Sequence, residues 1–311
     1  YGQLGLPERL AAYPGVRLVD FGQSPVLEVD TGHPEALFRR YALPEAVVRA
    51  DAVVSVAKMK AHRSTGCTLS IKNLFGWIPP SVYGAPRQYL HDRLIRLPRA
   101  LADLAWLVRP SLCVIDAIVA ANHGEWHGTP LMPGLLIAGT NAVATDHVGA
   151  RLMGFDPQAD YAAHPFLYRR NHIALAAALG AGPNDPDRIE VRGGSLEEQS
   201  RRFCVEAYSR GGDRPGELAR GLGCVRAYRA QQEQLAGRLR GRLLALRDGE
   251  VLWDSGSMAE HMARERQEGM DWRTVPQFVV RCLPPGEEVE NFRHYADDCP
   301  VCPADTAQAP R

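Results

Sequence analysis

Short aliphatic and β-branched runs alternate with segments of helical periodicity through the first half of the chain. Runs of this kind, bounded by polar or proline-containing segments, are typical of strands in a buried parallel sheet. Their alternation with helices predicts an α/β fold with a mostly parallel sheet and helices on both faces. The predicted strands cover residues 16–21, 53–56, 112–115 and 135–138, and the predicted helices cover 44–50, 98–108 and 142–153, the last capped by Asn141.

The pattern changes after about residue 200, where we expect a smaller α+β region. Residues 208–224 are rich in Gly and Arg and predict a linker. An amphipathic helix is predicted from the apolar side chains Tyr228, Leu235, Leu239, Leu243 and Leu246, which recur at helical spacing. A turn at Asp248 and Gly249 and a strand over 275–282 follow. The sequence therefore predicts two units, residues 1–200 and a carboxyl-terminal extension over 201–311.

Composition and charge exclude several classes of protein. The 36 Lys and Arg residues balance 36 Asp and Glu residues, which argues against a general nucleic-acid-binding role. No apolar run approaches the length that spans a bilayer. The seven cysteines are odd in number and scattered, which is unlike a secreted disulfide framework and favours a reducing, cytoplasmic location. The chain begins at Tyr1 and not at Met, so an amino-terminal signal lost with preceding residues is the alternative.

The predicted strand over 53–56 is followed by a segment dense in positive charge. Lys58, Lys60 and His62 come directly after it, and Lys72 follows a short polar stretch. Several cations so close together are costly unless an anion lies among them. Because ligands of open parallel sheets bind beyond the carboxyl ends of the strands, this segment predicts a site for a small anionic ligand. Solvated loop lysines are the alternative.

This segment resembles the domain of unknown function 362 family. The matching positions are Lys58, Lys60, His62, Thr65, Gly66, Thr68, Lys72, Asn73, Leu74, Phe75 and Gly76, with further matches at His91, Asp116 and Asp146. The resemblance covers roughly residues 1–200 and implies a family without an assigned reaction. Some relatives carry an added ferredoxin-like module with two iron–sulfur clusters, whose cysteine run is absent from this sequence. The family's first strand and its lysine–proline–asparagine turn are also missing, so we expect the chain to be a fragment.

The resemblance and the predicted fold together assign roles to these side chains. Substrate binding is expected of Lys58, Lys60, Thr65, Thr68, Lys72 and Asn73, and catalysis of His62, His91 and Asp116. Asp116 and Asp146 are also candidate ligands of a divalent cation. Instead of these roles, Asp116 could cap a helix. Asp146 lies early in a predicted helix, where the macrodipole favours a carboxylate even without a ligand.

The carboxyl-terminal tail contains a second candidate site. Cys299 and Cys302 form a C-x-x-C pair, with His294 just before it and Cys282 upstream. These four side chains are the ligand types of a zinc site or an iron–sulfur cluster. A single C-x-x-C pair is a weak signal, and two ordinary tail cysteines are the alternative.

Three functional classes remain open on the sequence alone. The first is an α/β enzyme that acts on an anionic small molecule, and it is favoured because its residues lie in the well-matched segment. The second is an iron–sulfur or metal-associated redox accessory protein that works with an electron-transfer partner. The third is a non-catalytic ligand-binding module. No phosphate-loop, dinucleotide-binding or nucleophile-elbow motif narrows the choice.

Overall fold

Three β-sheets organise the described part of the chain. The structure is a computed structural model that describes residues 2–83, 90, 96–126, 128–160, 163–167, 169–205, 214–270 and 278–285. The first sheet is a two-stranded antiparallel pair of β1 (Val26–Asp30) and β2 (Arg40–Pro44), preceded by the short helix α1 (Leu6–Leu10). The strand predicted over 16–21 is wrong, since these residues form no ladder and expose Val16 and Leu18.

The second sheet contains Lys58, Lys60 and His62. Its strands are β3 (Val54–His62), β4 (Gly66–Thr68), β5 (Leu112–Asn122), β6 (Thr129–Leu131) and β7 (Leu135–Gly139), in the order β4-β3-β5-β6, with β7 also paired to β5. Among these described strands only β3 and β5 run parallel, and the other pairs are antiparallel. The fold is α/β as predicted, but the expectation of a mostly parallel sheet is wrong because the sheet is mixed.

The reason for the mixed sheet is the short connection between β5 and β7. A parallel return requires a crossover of a dozen or more residues, usually a helix. The described residues between 123 and 134 hold the short strand β6 and no helix, so β7 returns antiparallel beside β5.

Six α-helices lie between β2 and residue 178 within the described ranges. They are α2 (Glu45–Val48), α3 (Ser70–Asn73), α4 (Pro80–Tyr83), α5 (Arg96–Val108), α6 (Ala142–Leu152) and α7 (His172–Ala178). The predicted helices over 98–108 and 142–153 are confirmed by α5 and α6, and Asn141 caps α6 by accepting the backbone N–H of Ala144 through Oδ1 at 3.0 Å.

One face of the central sheet is buried and the other is open in the described residues. Along β3, Ala57, Met59 and Ala61 are buried, while Val54 and Val56 on the opposite face are 53% and 63% exposed. This alternation has the period of two expected for a strand with one buried face. The expectation of helices on both faces is therefore not met by the described helices.

The carboxyl-terminal part forms a small α+β arrangement. After α8 (Leu196–Gln199), it consists of α9 (Arg214–Leu239), β8 (Leu243–Arg247), β9 (Glu250–Ser255), α10 (Met258–Gln267) and β10 (Phe278–Arg281), with antiparallel strands in the order β10-β8-β9. The linker predicted over 208–224 is wrong from residue 214, where α9 begins. Leu243 and Leu246 lie on β8 and not on the preceding helix.

Several features of this region agree with the sequence. Asp248 and Gly249 both have positive φ angles, 51° and 88°, and connect β8 to β9 as the predicted turn. The strand predicted over 275–282 is present as β10 within the described residues. The boundary between units 1–200 and 201–311 stays a prediction. No helix among the described residues combines the length and the apolarity that crossing a bilayer demands.

Candidate functional site

Lys58, Lys60 and His62 lie on strand β3 itself. The predicted strand ended at residue 56, with these side chains in the loop behind it, but β3 continues to His62. Along an extended strand, alternate residues share a face, so the three side chains lie opposite the buried Ala57, Met59 and Ala61. The prediction that these three residues follow the strand is wrong, because they form its second half.

Lys58 is tied to Asp116 on the open face of the sheet. The two residues are neighbours in the β3–β5 register, and Lys58 Nζ lies 2.8 Å from Asp116 Oδ2. Asp116 Oδ1 also accepts the backbone N–H of Ile118 at 2.9 Å. The hydrogen bond from Lys58, and after it the Ile118 amide, hold the pKa of Asp116 below its usual value. Asp116 therefore lies in the middle of β5, as half of a solvent-facing ion pair.

The short strand β4 adds Thr68 to the same face. In the antiparallel register Lys60 is opposite Thr68 and His62 is opposite Gly66. Thr68 Oγ1 is buried and has no hydrogen-bond partner within the described parts of the chain. Thr65 has a local role, since its buried Oγ1 donates to the carbonyl of Cys67 at 3.3 Å.

Asn73 and Asp146 fix the helix that carries Lys72. Asn73 Nδ2 donates to Ser55 Oγ at 3.1 Å and to the Val56 carbonyl at 3.2 Å, which holds α3 against the edge of β3. Asp146 is fully buried, and its two oxygens accept the backbone N–H groups of Ser70 and Ile71 at 2.7 and 2.8 Å. Burial outweighs these bonds and raises the pKa of Asp146 to about 7.

The structure does not bring the two proposed cation ligands together. Asp116 faces solvent and pairs with Lys58, whereas Asp146 lies beneath α3 with both oxygens occupied by amides. No group of three or more His, Cys, Asp or Glu side chains in the described residues has the arrangement of a metal site. The geometry thus gives no support to a divalent cation shared by Asp116 and Asp146.

His62 is held by the turn that follows it. Its Nδ1 accepts the backbone N–H groups of Ser64 at 3.2 Å and Thr65 at 3.3 Å. Glu125, from the loop after β5, lies 3.8 Å from the same nitrogen and accepts the backbone N–H of Arg63 at 2.9 Å. Both side chains are largely buried, at 12% and 14% exposure.

A distant segment closes over this turn. Gly66 has a φ of 79°, and a Cβ at this position would lie 3.0 Å from the Phe166 ring and 3.2 Å from Pro165. The Phe166 ring in turn packs edge-on to His172 with 6.4 Å between centroids. Arg169 and His172 are 2% and 0% exposed. Sequence reasoning missed both residues, because nothing in the segment 165–172 relates it to a motif about a hundred positions earlier.

These groups act on one another electrostatically. Burial first, and then Lys72, Arg169, Lys60 and His172, lower the pKa of His62 well below its usual value. Burial and Lys72 lower the pKa of His172 to about 3. Lys72 also lies over the Phe75 ring, with its Nζ 4.6 Å from the centroid. We call Lys60, His62, Lys72, Arg169 and His172 the basic cluster.

The remaining predicted site residues are His91 and the four candidate ligands of the carboxyl-terminal part. His91, His294, Cys299 and Cys302 lie outside the described residues, so a tail zinc site or iron–sulfur cluster stays a prediction. Cys282 directly follows β10 and is fully buried; its backbone N–H donates to the Arg242 carbonyl at 2.8 Å.

A cavity of about 490 Å³ lies elsewhere in the molecule. Its lining includes β7, one side of α6 from Ala144 to Leu152 and the segment from Arg188 to Gln199. None of the predicted site residues within the described ranges lines it. The cavity and the basic cluster are therefore separate features.

The comparisons with known proteins agree with the motif. The thylakoid-associated protein sll1697 of Synechocystis sp. is 30% identical over 165 residues, which make up 52% of this chain and 50% of that protein. The chain thus spans about half the length of this curated relative, whose name leaves the predicted cytoplasmic location untested. No solved structure gives a significant match. Residues 1–151 match the model of the family described as a domain of unknown function (DUF362), which confirms the predicted resemblance over this segment.

Proposed function

We propose that the basic cluster binds the anionic group of a small-molecule substrate and that the protein is an enzyme acting on it. The observation that carries this proposal is that Lys60, Lys72 and Arg169, from three separate parts of the chain, all act on the largely buried His62, while Lys72 acts also on the fully buried His172. Like charges this close repel one another, and an anion among them relieves the repulsion. The cluster also includes Lys60 and Lys72, two of the three lysines that match the family pattern.

Ligand binding changes the chemistry of the histidines. Without an anion, the neighbouring cations and burial keep both imidazoles neutral. An anion among these cations compensates their charge and raises the pKa of each histidine, while burial, the largest cause of the lowering, still acts. Each histidine then takes up a proton more readily, and lysines stabilise negative charge that develops on the substrate. The cluster thus supplies a clamp for the anion and groups that move a proton.

The first test is a calorimetric titration of the whole chain with inorganic phosphate. Lys72→Met removes a clamp cation while keeping a long side chain, and we expect it to weaken phosphate binding at least ~10-fold, which corresponds to about 1.4 kcal/mol. The control is Arg192→Met, because Arg192 is 84% exposed and pairs only with the equally peripheral Glu190 in the described residues. Equal phosphate affinity in Lys72→Met and the parent would remove the basis of the proposal.

Lys58 provides an internal comparison. Because Lys58 pairs with Asp116 on the exposed face, Lys58→Met should change phosphate affinity by less than ~3-fold, in the range of a solvent-exposed charge. The same titration measures this variant beside Lys72→Met. A loss as large as that of Lys72→Met would place Lys58 in the binding site and move the centre of the site along β3.

A further inference from the structure

Strand β7 lies at an edge of the central sheet. It pairs with β5 along its whole length, and no further strand among the described residues pairs with it. Every second residue of an edge strand directs its backbone N–H and C=O away from the one partner, so β7 leaves a row of these groups without a ladder. An extended peptide can add to such an edge as a further strand.

The cavity of about 490 Å³ lies along this edge. All the residues of β7, from Leu135 to Gly139, line it. Neighbouring residues of a strand point to opposite faces of the sheet, so a cavity that touches each of them follows the backbone and not a single face. The open backbone groups of β7 therefore border a space that can enclose a ligand.

The core side of the cavity is apolar. Leu135 and Ile137 pack against the buried core, on the face of β7 opposite the 64% exposed Leu136. Helix α6 adds Val148 and Leu152 to the lining, and both are buried. A strand paired with β7 continues the two faces of the sheet, so every second side chain of that strand would meet these apolar groups.

The charged side chains of the lining favour an acidic ligand. They are Arg188, Glu190 and Arg192. Glu190 and Arg192 pair with each other at 2.8 Å on the exposed surface. Arg188 forms no ion pair with the residues that the structure describes, so the lining has one positive charge in excess. A carboxylate on the ligand would compensate this charge.

We infer that the edge of β7 binds an extended peptide segment of a partner protein in which apolar side chains alternate with acidic ones. The backbone of this segment pairs with β7, and its apolar side chains pack on the core side of the cavity. An acidic side chain pairs with Arg188. The inference goes beyond the proposed anion-binding function, because none of the basic cluster lines the cavity.

The first test measures binding of a synthetic peptide to the whole chain by fluorescence anisotropy. The probe has about seven residues, enough to span β7, with Val alternating with Glu, and both ends are capped. Pairing through the main chain tolerates many sequences, so this generic probe should bind saturably. Two control peptides carry N-methyl groups on alternate backbone amides, one at odd and one at even positions. At least one of them should bind at least ~10-fold more weakly, because every second N–H of a paired strand faces its neighbour.

A third control peptide replaces each Glu by Lys and should also bind at least ~10-fold more weakly, because it opposes Arg188. These comparisons use the parent protein alone and do not depend on the folding of a variant. The inference is overturned if the Val–Glu peptide shows no saturable binding up to about 1 mM, or if all four peptides bind equally.

Two matched substitutions locate the site. Ala144 and Ala174 are both half-buried, and each donates its backbone N–H to the Asn that caps its helix. Of the two, Ala144 alone lines the cavity. Ala144→Leu should therefore weaken binding of the Val–Glu peptide at least ~10-fold, whereas Ala174→Leu should change it by less than ~3-fold. Circular dichroism shows whether each variant is folded.

The remaining outcomes decide which molecule occupies the edge and which site is involved. Equal peptide affinity in the two folded variants overturns the assignment to this cavity. A dimer of the parent in sedimentation that becomes monomeric in Ala144→Leu also overturns the inference, since a second copy of the chain would then occupy the edge. Ala144→Leu should keep the phosphate affinity of the parent, so the peptide site and the basic cluster can fail separately.

Discussion

At the scale of single residues, Asp146 shows how a buried carboxylate positions a binding lysine from a distance. Its oxygens accept the first two amides of α3, and Lys72 follows directly on that helix. The sequence identified Asp146 only through the family resemblance and offered the dipole of its own helix as an alternative. The actual partners are 75 and 76 positions away, and no local pattern in a single sequence encodes a contact of that range.

Asp146→Asn should destabilise the protein in a pH-dependent way. The amide –NH₂ cannot accept a hydrogen bond, so one of the two α3 amides loses its partner, at a cost of about 1–3 kcal/mol. The parent's pKa of about 7 lies above the ordinary value of 3.8, so the unfolded chain releases its proton first. The Asp146 carboxyl therefore does not lower the stability of the fold below about pH 4. Above that pH it lowers the stability increasingly until about pH 7, where the folded carboxyl also ionises.

The asparagine of the variant does not titrate, so the difference between the unfolding free energies of parent and variant should be larger near pH ~5 than above pH ~7. Urea denaturation at the two pH values measures it. A difference in unfolding free energy that widens with pH would mean that the folded carboxylate is stabilised in its charged form.

Asp103→Asn serves as the control for ligand binding. Burial also raises the pKa of Asp103 to about 7, but its hydrogen-bond partners are Leu37, Phe38 and Tyr41. Only Asp146→Asn should weaken phosphate binding.

At the scale of secondary-structure elements, the sequence predicted helices more accurately than strands. The apolar periodicities of α5 and α6 and the cap at Asn141 are local, and they located these helices closely. Strand β3 is nine residues long, and the open face of its second half carries Lys58, Lys60 and His62, which look like loop residues when the sequence is considered alone. Pairing with β4 and β5 stabilises that half, and pairing is a non-local interaction.

Gly66→Ala tests the contact between the β3–β4 turn and the covering segment. Its φ of 79° strains an alanine, and the added methyl also meets Phe166 and Pro165 at 3.0 and 3.2 Å. The segment must move away, which displaces Arg169 and His172 from the hairpin. We expect at least ~10-fold weaker phosphate binding by calorimetry.

The matched control is Gly241→Ala. Gly241 has a φ of 80°, and a Cβ added there would meet nothing within 4 Å, so the backbone strain is the same and the collision is absent. This variant should lose similar stability, about 1–2 kcal/mol, and keep its phosphate affinity. If Gly66→Ala binds phosphate as well as Gly241→Ala does, the covering segment has no part in binding.

At the scale of the whole molecule, the basic cluster is assembled from residues that are far apart in the sequence. The predicted site lay beyond the carboxyl end of a strand in a parallel sheet, and Lys58, Lys60 and His62 do lie in the carboxyl-terminal half of β3. The mixed sheet, however, places Asp116 in mid-strand, and the second half of the cluster comes from the segment 165–172. Motif residues were predictable because they are consecutive, whereas Arg169 and His172 join them only through the tertiary fold.

The carboxyl-terminal sheet bears on the predicted division of the chain near residue 200. Leu101 and Leu104 of α5 belong to the same buried apolar cluster as Leu244 and Val280 of that sheet. Arg96, fully buried at the start of α5, donates from Nη1 to the Val279 carbonyl of β10 at 2.6 Å. We therefore expect both parts to unfold as one cooperative unit, since elements that share a core open together.

Arg96→Met tests this expectation by removing the donor across that contact while keeping a long apolar stem. The Val279 carbonyl is left without this partner, which should cost about 1–3 kcal/mol of global stability. Hydrogen exchange measured by mass spectrometry should then show the same loss of protection in peptides from β5 and from β8, with Arg192→Met as the exposed control. Loss confined to β8, β9 and β10 would show that the carboxyl-terminal part opens independently. In that case the sequence boundary near residue 200 separates two folding units, and the shared apolar cluster is an interface between them.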